Sequence, residues 1–107
     1  MEIAQYQIAL VNLDPTIGSE IHKTRPCVIV SPDEMNRHLQ TVVVVPLTST
    51  SKPYPTRFSI IKGNISGWIA IDQIRTIDKT RIIRIEGTLS SSEIKTLKSI
   101  IRQSFVD

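Results

Sequence analysis

The stretch Thr41-Val42-Val43-Val44-Val45-Pro46-Leu47 decides the fold, because its four consecutive valines are the strongest strand signal in the chain. A continuous apolar run, without alternation, predicts a central strand covered on both faces rather than a one-sided edge. Thr48 stands where this strand enters a polar loop running to Pro55, stiffened by Pro53 and Pro55.

Upstream of that strand, Pro26 to Val30 is a short apolar run that reads as a second strand, bounded by Ser31-Pro32. Tyr6 to Leu13 reads as another, stopping at Asp14-Pro15-Thr16, and the polar stretch from Asp14 to Thr24 reads as a loop. Pro32 to Leu39 predicts a short helix with Ser31 as its N-cap and Pro32 at the first helical position. Downstream, Arg57 to Ile61 and Trp68 to Ile71 are further strands, separated at Lys62-Gly63-Asn64. Ile82 to Leu89 alternates, with Ile83, Ile85, Gly87 and Leu89 on one side, and predicts a half-exposed strand. The chain then changes character. Ser90-Ser91-Ser92-Glu93 is a capping-box pattern, followed by Ile94, Leu97, Ile100, Ile101 and Phe105 at helical spacing. The expected fold is mainly β with some α: an antiparallel half-barrel of five to seven strands carrying a C-terminal amphipathic helix. One domain over residues 1–107 is expected, without repeat or linker.

Composition narrows the classes of function. The net charge is +3 over 107 residues, with 40% apolar residues, enough for an ordinary core. From Lys52 to Arg84 seven basic residues face two acidic ones, a local excess that attracts polyanions or simply solvates one face. The single cysteine, Cys27, excludes an intrachain disulfide, and its apolar flanks read as a buried strand rather than a nucleophile site. No signal-peptide pattern and no apolar run of membrane-spanning length is visible, so a soluble, cytoplasmic protein away from membranes is expected. Two histidines, His22 and His38, and one cysteine lack close ligand spacing, and four glycines miss the phosphate-loop spacings. No metal and no cofactor is expected.

What remains is a set of polar residues at strand ends, where binding groups concentrate. Arg25 joins the first loop to a buried strand, and Pro26 after it favours an extended conformation there. Thr48 holds the mirror position at the end of the valine strand. If the two strands are neighbours, an arginine and a hydroxyl converge at one end of the sheet. The plain structural reading is a salt bridge for Arg25 and a capped turn for Thr48.

A family resemblance weighs on that choice. The blocks Asp14-Pro15-Thr16-Ile17-Gly18-Ser19-Glu20 and Lys23-Thr24-Arg25-Pro26-Cys27-Val28-Ile29-Val30-Ser31-Pro32 resemble the N-terminal signature of the MazF/PemK toxins. The resemblance continues through Asn36-Arg37, Val45-Pro46-Leu47-Thr48-Ser49 and Asp72-Gln73-Ile74-Arg75-Thr76-Ile77-Asp78-Lys79, in family order and spacing. It implies an SH3-like barrel, a homodimer, cleavage of single-stranded RNA at specific sequences, and a cognate antitoxin that blocks the RNA groove. It also implies Arg25 and Thr48 as the catalytic pair, with loops Pro15 to Thr24 and Ser49 to Thr56 flanking the groove. Ser19, Glu20, His22, Lys23, Ser49, Lys52, Asp72, Gln73 and Arg75 are then RNA-binding or supporting candidates. Asp72 stands where some members carry a catalytic aspartate, but the arginine two residues earlier in the PemK/Kid branch is Ala70 here, which favours the Arg/Thr site. His22 does not fall on the family's histidine position, which Ser19 occupies. Trp68 and Phe58 offer stacking surfaces for unpaired bases, although aromatic residues in strands more often belong to the core.

The chemistry fits a metal-free reaction. RNA carries its own nucleophile in the 2′-hydroxyl, so the protein must position the sugar, move protons and stabilise charge on phosphorus. Arg25 suits charge stabilisation better than proton abstraction, since guanidinium is a poor base. Thr48 suits a hydrogen bond to a phosphate oxygen, and the expected products are a 2′,3′-cyclic phosphate and a 5′-hydroxyl. Two other readings stay open: a CcdB-type gyrase-inhibiting toxin on a related barrel, and a non-catalytic RNA-binding SH3-like module. Arg25-Pro26 and Thr48-Ser49 are the nuclease-branch features that separate them.

Overall fold

A computed structural model describes residues 2–107; Met1, within the expected domain span, lies outside the described residues. Seven strands form one antiparallel sheet: β1 Gln7–Asn12, β2 Thr24–Ile29, β3 Thr41–Thr48, β4 Arg57–Lys62, β5 Ile65–Ala70, β6 Arg75–Asp78 and β7 Ile82–Thr88. Their order is β4-β5-β3-β2-β1-β7, with β6 also paired to β3. A short helix α1, Asp33–His38, links β2 to β3, and α2, Ser91–Ile101, follows β7. This is the half-barrel with a terminal helix that the strand pattern predicts.

The valine run lies at the centre, as expected of an apolar stretch without a solvent side. Val45 and Leu47 enter one core with Ile8, Val28, Ile69 and Leu97. Val42 and Val44 enter a second core on the opposite face, with Val11, Cys27, Ile29 and Ile77. Helix α2 seals the first core: Leu97 is fully buried, and Ile94, Ile100 and Ile101 pack half-buried around it. Its start is fixed by a complete capping box, in which Ser90 Oγ accepts from the Glu93 amide at 3.2 Å and Glu93 Oε1 from the Ser90 amide at 2.7 Å. Phe105, expected on the buried stripe, is 56% exposed, because it sits beyond α2 in a terminal π-helical turn, Arg102–Val106.

Three local readings are corrected. Helix α1 begins at Asp33, and Pro32 occupies its cap position without a side-chain cap. Ser31 is instead buried, where its hydroxyl donates to Asn36 Oδ1 at 2.5 Å and accepts from the Val43 amide at 3.0 Å. In β7 the buried residue is Ile82 and Ile83 is 48% exposed, because bulges shift the β1–β7 register between Leu10 and Val11 and so break strict alternation. Finally, β6 is a strand in a stretch not read as one.

The reason for β6 lies along one edge of β3. There β5 pairs at Leu47–Ile69 and Thr48–Trp68, while β6 pairs at Val44–Arg75 and Val43–Thr76. Three steps along β3, from Leu47 to Val44, correspond to six along the partner chain, from Ile69 to Arg75. The excess is folded into a 3-10 turn, Ile71–Gln73, whose Ile71 is buried in the first core.

Candidate active site

Period-2 alternation decides which side chains meet. On β2, Cys27 and Ile29 belong to the second core, so Arg25 shares their face; on β3, Val42 and Val44 do, so Thr48 shares it too. The ladder between β2 and β3 runs Ile29–Val44, Val28–Val45 and Cys27–Pro46. Pro26 and Pro46 have no amide proton, and the ladder ends there. Continued by two residues, the same register sets Arg25 opposite Thr48. Across β3's other edge Thr48 pairs with Trp68. Arg25, Thr48 and Trp68 therefore form a row across three strands, on the face whose far half is filled by the second core.

The plain structural reading fails for Arg25. It is half-buried, and its guanidinium has no carboxylate partner among the described residues; Nε donates only to the His22 carbonyl, at a long 3.4 Å. Thr48 does make a turn bond, its hydroxyl donating to the Thr50 carbonyl at 3.1 Å. Trp68 is half-buried and belongs to neither core, unlike Phe58, which packs against the first. Arg75, opposite Val44 on β6, has a buried Nη1 without a hydrogen-bond partner among the described residues. Cys27 beneath them is fully buried; burial pushes its thiol up to about 12, and the nearby Arg75 charge offsets only part of that rise. It is a core residue, not a nucleophile.

Two loops border this row. The first, between β1 and β2, carries the exposed Ser19, Glu20, His22 and Lys23. Its base is pinned where the Leu13 amide donates to the Lys23 carbonyl at 2.9 Å and the Lys23 amide to Asp14 Oδ1 at 3.0 Å. Lys23 takes a left-handed φ of 68° there, an uncommon conformation for a side-chain-bearing residue. Arg81 donates to the carbonyls of Asn12 and Asp14 and holds the same base from β7's side. The second loop, between β3 and β4, carries the exposed Ser49 and Lys52.

Asp72 and Gln73, both expected near RNA, are engaged with these loops. Asp72 accepts from Arg57 Nε at 3.0 Å and Nη2 at 2.9 Å, and from Thr56 Oγ1 at 2.9 Å. The Arg57 hydrogen bond holds its carboxyl below the usual carboxylate range against a smaller opposing effect of burial. Gln73 Oε1 accepts from the Ile21 amide at 3.3 Å. Arg57, which sequence reasoning counted only as charge, is thus a fixed structural cation. Lys62 is likewise paired with Glu93 at 3.1 Å and Arg84 with Glu86 at 3.2 Å. Three of the seven basic residues between Lys52 and Arg84 are therefore paired with carboxylates of the protein itself.

Gly67 was missed for want of any motif. At φ 152°, it lies where a Cβ would meet the Thr48 carbonyl oxygen at 2.8 Å, so only glycine lets β5 close on β3 beside Thr48. Among the described residues no three His, Cys, Asp or Glu side chains converge as a metal site would require. A 570 Å³ cleft lined by Glu2, Asn36, Arg37 and Lys79 lies at the opposite end of β3, away from the row. Among the described residues no helix is long and apolar enough to cross a membrane.

Comparison with known proteins identifies the family and the fold. Residues 4–105 match the family model described as PemK-like, MazF-like toxin of type II toxin-antitoxin system. The chain is 35% identical over 105 residues to Endoribonuclease PemK of Escherichia coli, covering 89% of this chain and 79% of that protein. The crystal structure of MazF from Deinococcus radiodurans superposes with a TM-score of 0.87 at 20% identity, covering 96% of each chain. A mycobacterial endoribonuclease solved with its cognate antitoxin shares the fold at a TM-score of 0.81 and 22% identity, over 95% of this chain and 93% of that one. The chain belongs to the PemK-like, MazF-like toxin family of type II toxin–antitoxin systems.

Proposed function

We propose that this chain is the endoribonuclease toxin of a toxin–antitoxin pair, cleaving single-stranded RNA without a metal at the Arg25–Thr48–Trp68 row. The observation that carries the site is an arginine without an ion-pair partner, placed beside a strand-end hydroxyl on an open sheet face. A half-buried guanidinium not neutralised by the protein is poised for phosphate, which it binds bidentately. Arg25 stabilises the charge that grows on the non-bridging oxygens as the RNA 2′-oxygen attacks phosphorus. The 2′-hydroxyl proton passes to solvent as its oxygen bonds phosphorus, the bond from phosphorus to the 5′-oxygen breaks, and the 5′-oxygen takes a proton from solvent, leaving a 2′,3′-cyclic phosphate and a 5′-hydroxyl. Thr48 orients the phosphate by exchanging its hydrogen bond to the exposed Thr50 for one to a phosphate oxygen. The unpartnered Nη1 of Arg75 supplies a further donor on the same face, and Trp68 offers a ring for an unstacked base. Asp72 is a poor acceptor for the 2′-hydroxyl proton, because Arg57 and Thr56 engage both its oxygens and hold its carboxyl below the usual carboxylate range.

The same reading places the protein in the cytoplasm, as a homodimer held inactive by an antitoxin seated over the groove. Sedimentation that shows only monomer at every concentration contradicts the dimer. No observation favours the gyrase-inhibiting or non-catalytic alternatives. The deciding experiment is cleavage of a long RNA in EDTA with both ends mapped. Cleavage giving cyclic-phosphate and 5′-hydroxyl ends supports the reading; 5′-phosphate ends or inhibition by EDTA contradict it, and intact RNA with blocked supercoiling points to gyrase.

A further inference from the structure

The three residues that β5 and β6 insert along β3 have their own bonding pattern. The 3-10 turn Ile71–Gln73 sits between the two loops that border the row, and consecutive side chains reach in different directions. Asp72 binds the β3–β4 loop and Gln73 the β1–β2 loop.

The first attachment is a bidentate clamp. Both Asp72 oxygens accept from Arg57, and Oδ1 also from Thr56. The remaining guanidinium nitrogen, Nη1, donates to Ser51 Oγ at 3.0 Å, and the same guanidinium stacks 5.4 Å from the centre of the Tyr54 ring. The Arg57 side chain is only 16% exposed. The Ile71 amide donates to the Thr56 carbonyl at 3.0 Å, so the turn's backbone holds the end of the same loop. A fork of this kind restrains direction as well as distance, which a lysine could not do. The second attachment is one hydrogen bond, from the Ile21 amide to Gln73 Oε1. Thr48 opens the clamped loop, and Arg25 follows directly on the other, so the turn sets the spacing of both banks of the groove.

We propose that the Ile71–Gln73 turn is the specificity-positioning element of the site, Asp72 and Arg57 setting the β3–β4 loop and Gln73 the β1–β2 loop, so that each selects bases on its own side of the scissile phosphate. Asp72 and Gln73 are positioning residues and Arg25 and Thr48 carry the chemistry. This rests on the endoribonuclease reading, but the loop geometry can be read without activity.

The test compares Asp72→Asn, Arg57→Lys and Gln73→Leu with the unaltered protein, using amide hydrogen exchange over residues 14–23 and 49–56, cleavage-site mapping on one long RNA, and KM and kcat on one oligonucleotide. Asp72→Asn speeds exchange in 49–56 and leaves 14–23 unchanged, while Gln73→Leu does the reverse. Arg57→Lys follows Asp72→Asn to a smaller degree, and keeps the test open should Asp72→Asn fold poorly. Asp72→Asn and Arg57→Lys relax base preference on one side of the scissile phosphate and Gln73→Leu on the other, with KM raised about tenfold and kcat within about threefold, the pattern of lost binding rather than lost chemistry. Wild-type exchange in both loops overturns the proposal. So does a fall in kcat of about a hundredfold in Asp72→Asn at unchanged KM, which places Asp72 in the chemical step. If the unaltered protein leaves RNA intact, the nuclease reading fails, while the exchange data still decide whether the turn sets the loops.

Discussion

At its Thr41 end, β3 is enclosed by β2 and β6, with buried valines alternating into two cores and a buried Ser31–Asn36 pair capping the corner. At its Thr48 end the β2 ladder has stopped at two prolines, the other edge has changed partner from β6 to β5, and the side chains on the second face are Arg25, Thr48 and Trp68. Both ends belong to one strand of eight residues. At the Thr41 end Ser31 and Asn36 bond each other and Ser31 the Val43 amide, whereas the Thr48 end leaves Arg25 without a carboxylate partner among the described residues and two loops to border it. A sheet whose two ends differ in this way separates stability from the proposed function along a single strand: the sealed end holds the fold, and the open end is the proposed seat of RNA.

Side-chain truncations at the open end should then lose activity at unchanged stability, and those at the sealed end the reverse. Arg25→Ala has the largest expected effect, lowering kcat about 10²–10³-fold, as loss of a charge-stabilising donor does, with an unaltered melting curve. Gly67→Ala comes next. Its Cβ must displace the Thr48 carbonyl, and a shift near 1 Å costs up to about a hundredfold in single-turnover cleavage rate. A Gly67→Ala protein that cleaves normally shows that Thr48 is not held by this contact. Trp68→Ala should raise KM about tenfold with little change in kcat, within the range for loss of one base–aromatic stack; an unchanged KM returns Trp68 to the structural residues. At the sealed end, Ser31→Ala leaves the Val43 amide and Asn36 short of a partner and should destabilise by about 1–3 kcal/mol in denaturant titration. The cleavage rate of its folded fraction should not change. A Ser31→Ala protein with normal stability but slow cleavage would break the division between the two ends.

The same division explains what could be read from sequence. Burial leaves a periodic trace, so the valine run, the β2 and β4 strands to within two residues, and the α2 stripe as far as Ile101 with its Ser90–Glu93 box were legible. Arg25 and Thr48 were legible as strand-end residues, and the order of the surrounding blocks gave them a role. Pairing geometry leaves no such trace. The six-for-three mismatch along β3, which creates both β6 and the Ile71–Gln73 turn, depends on which strands meet. Likewise Ile82 and Ile83 exchange faces because of bulges set by β1. Gly67 matters only because Thr48 lies across from it, and Arg57 reads as free charge until Asp72 is placed beside it. Long-range pairs of this kind are the part of the site that local pattern cannot supply.

The central claim, that RNA is held and cut at the Thr48 end of β3, is tested most directly by backbone and side-chain NMR shifts on adding a single-stranded RNA made uncleavable by 2′-O-methylation. The account predicts changes centred on Arg25, Thr48 and Trp68, with the Arg25 Nε and Trp68 indole signals among the most shifted. Changes centred instead on Arg37 and Lys79, at the cleft by the Thr41 end, would contradict it.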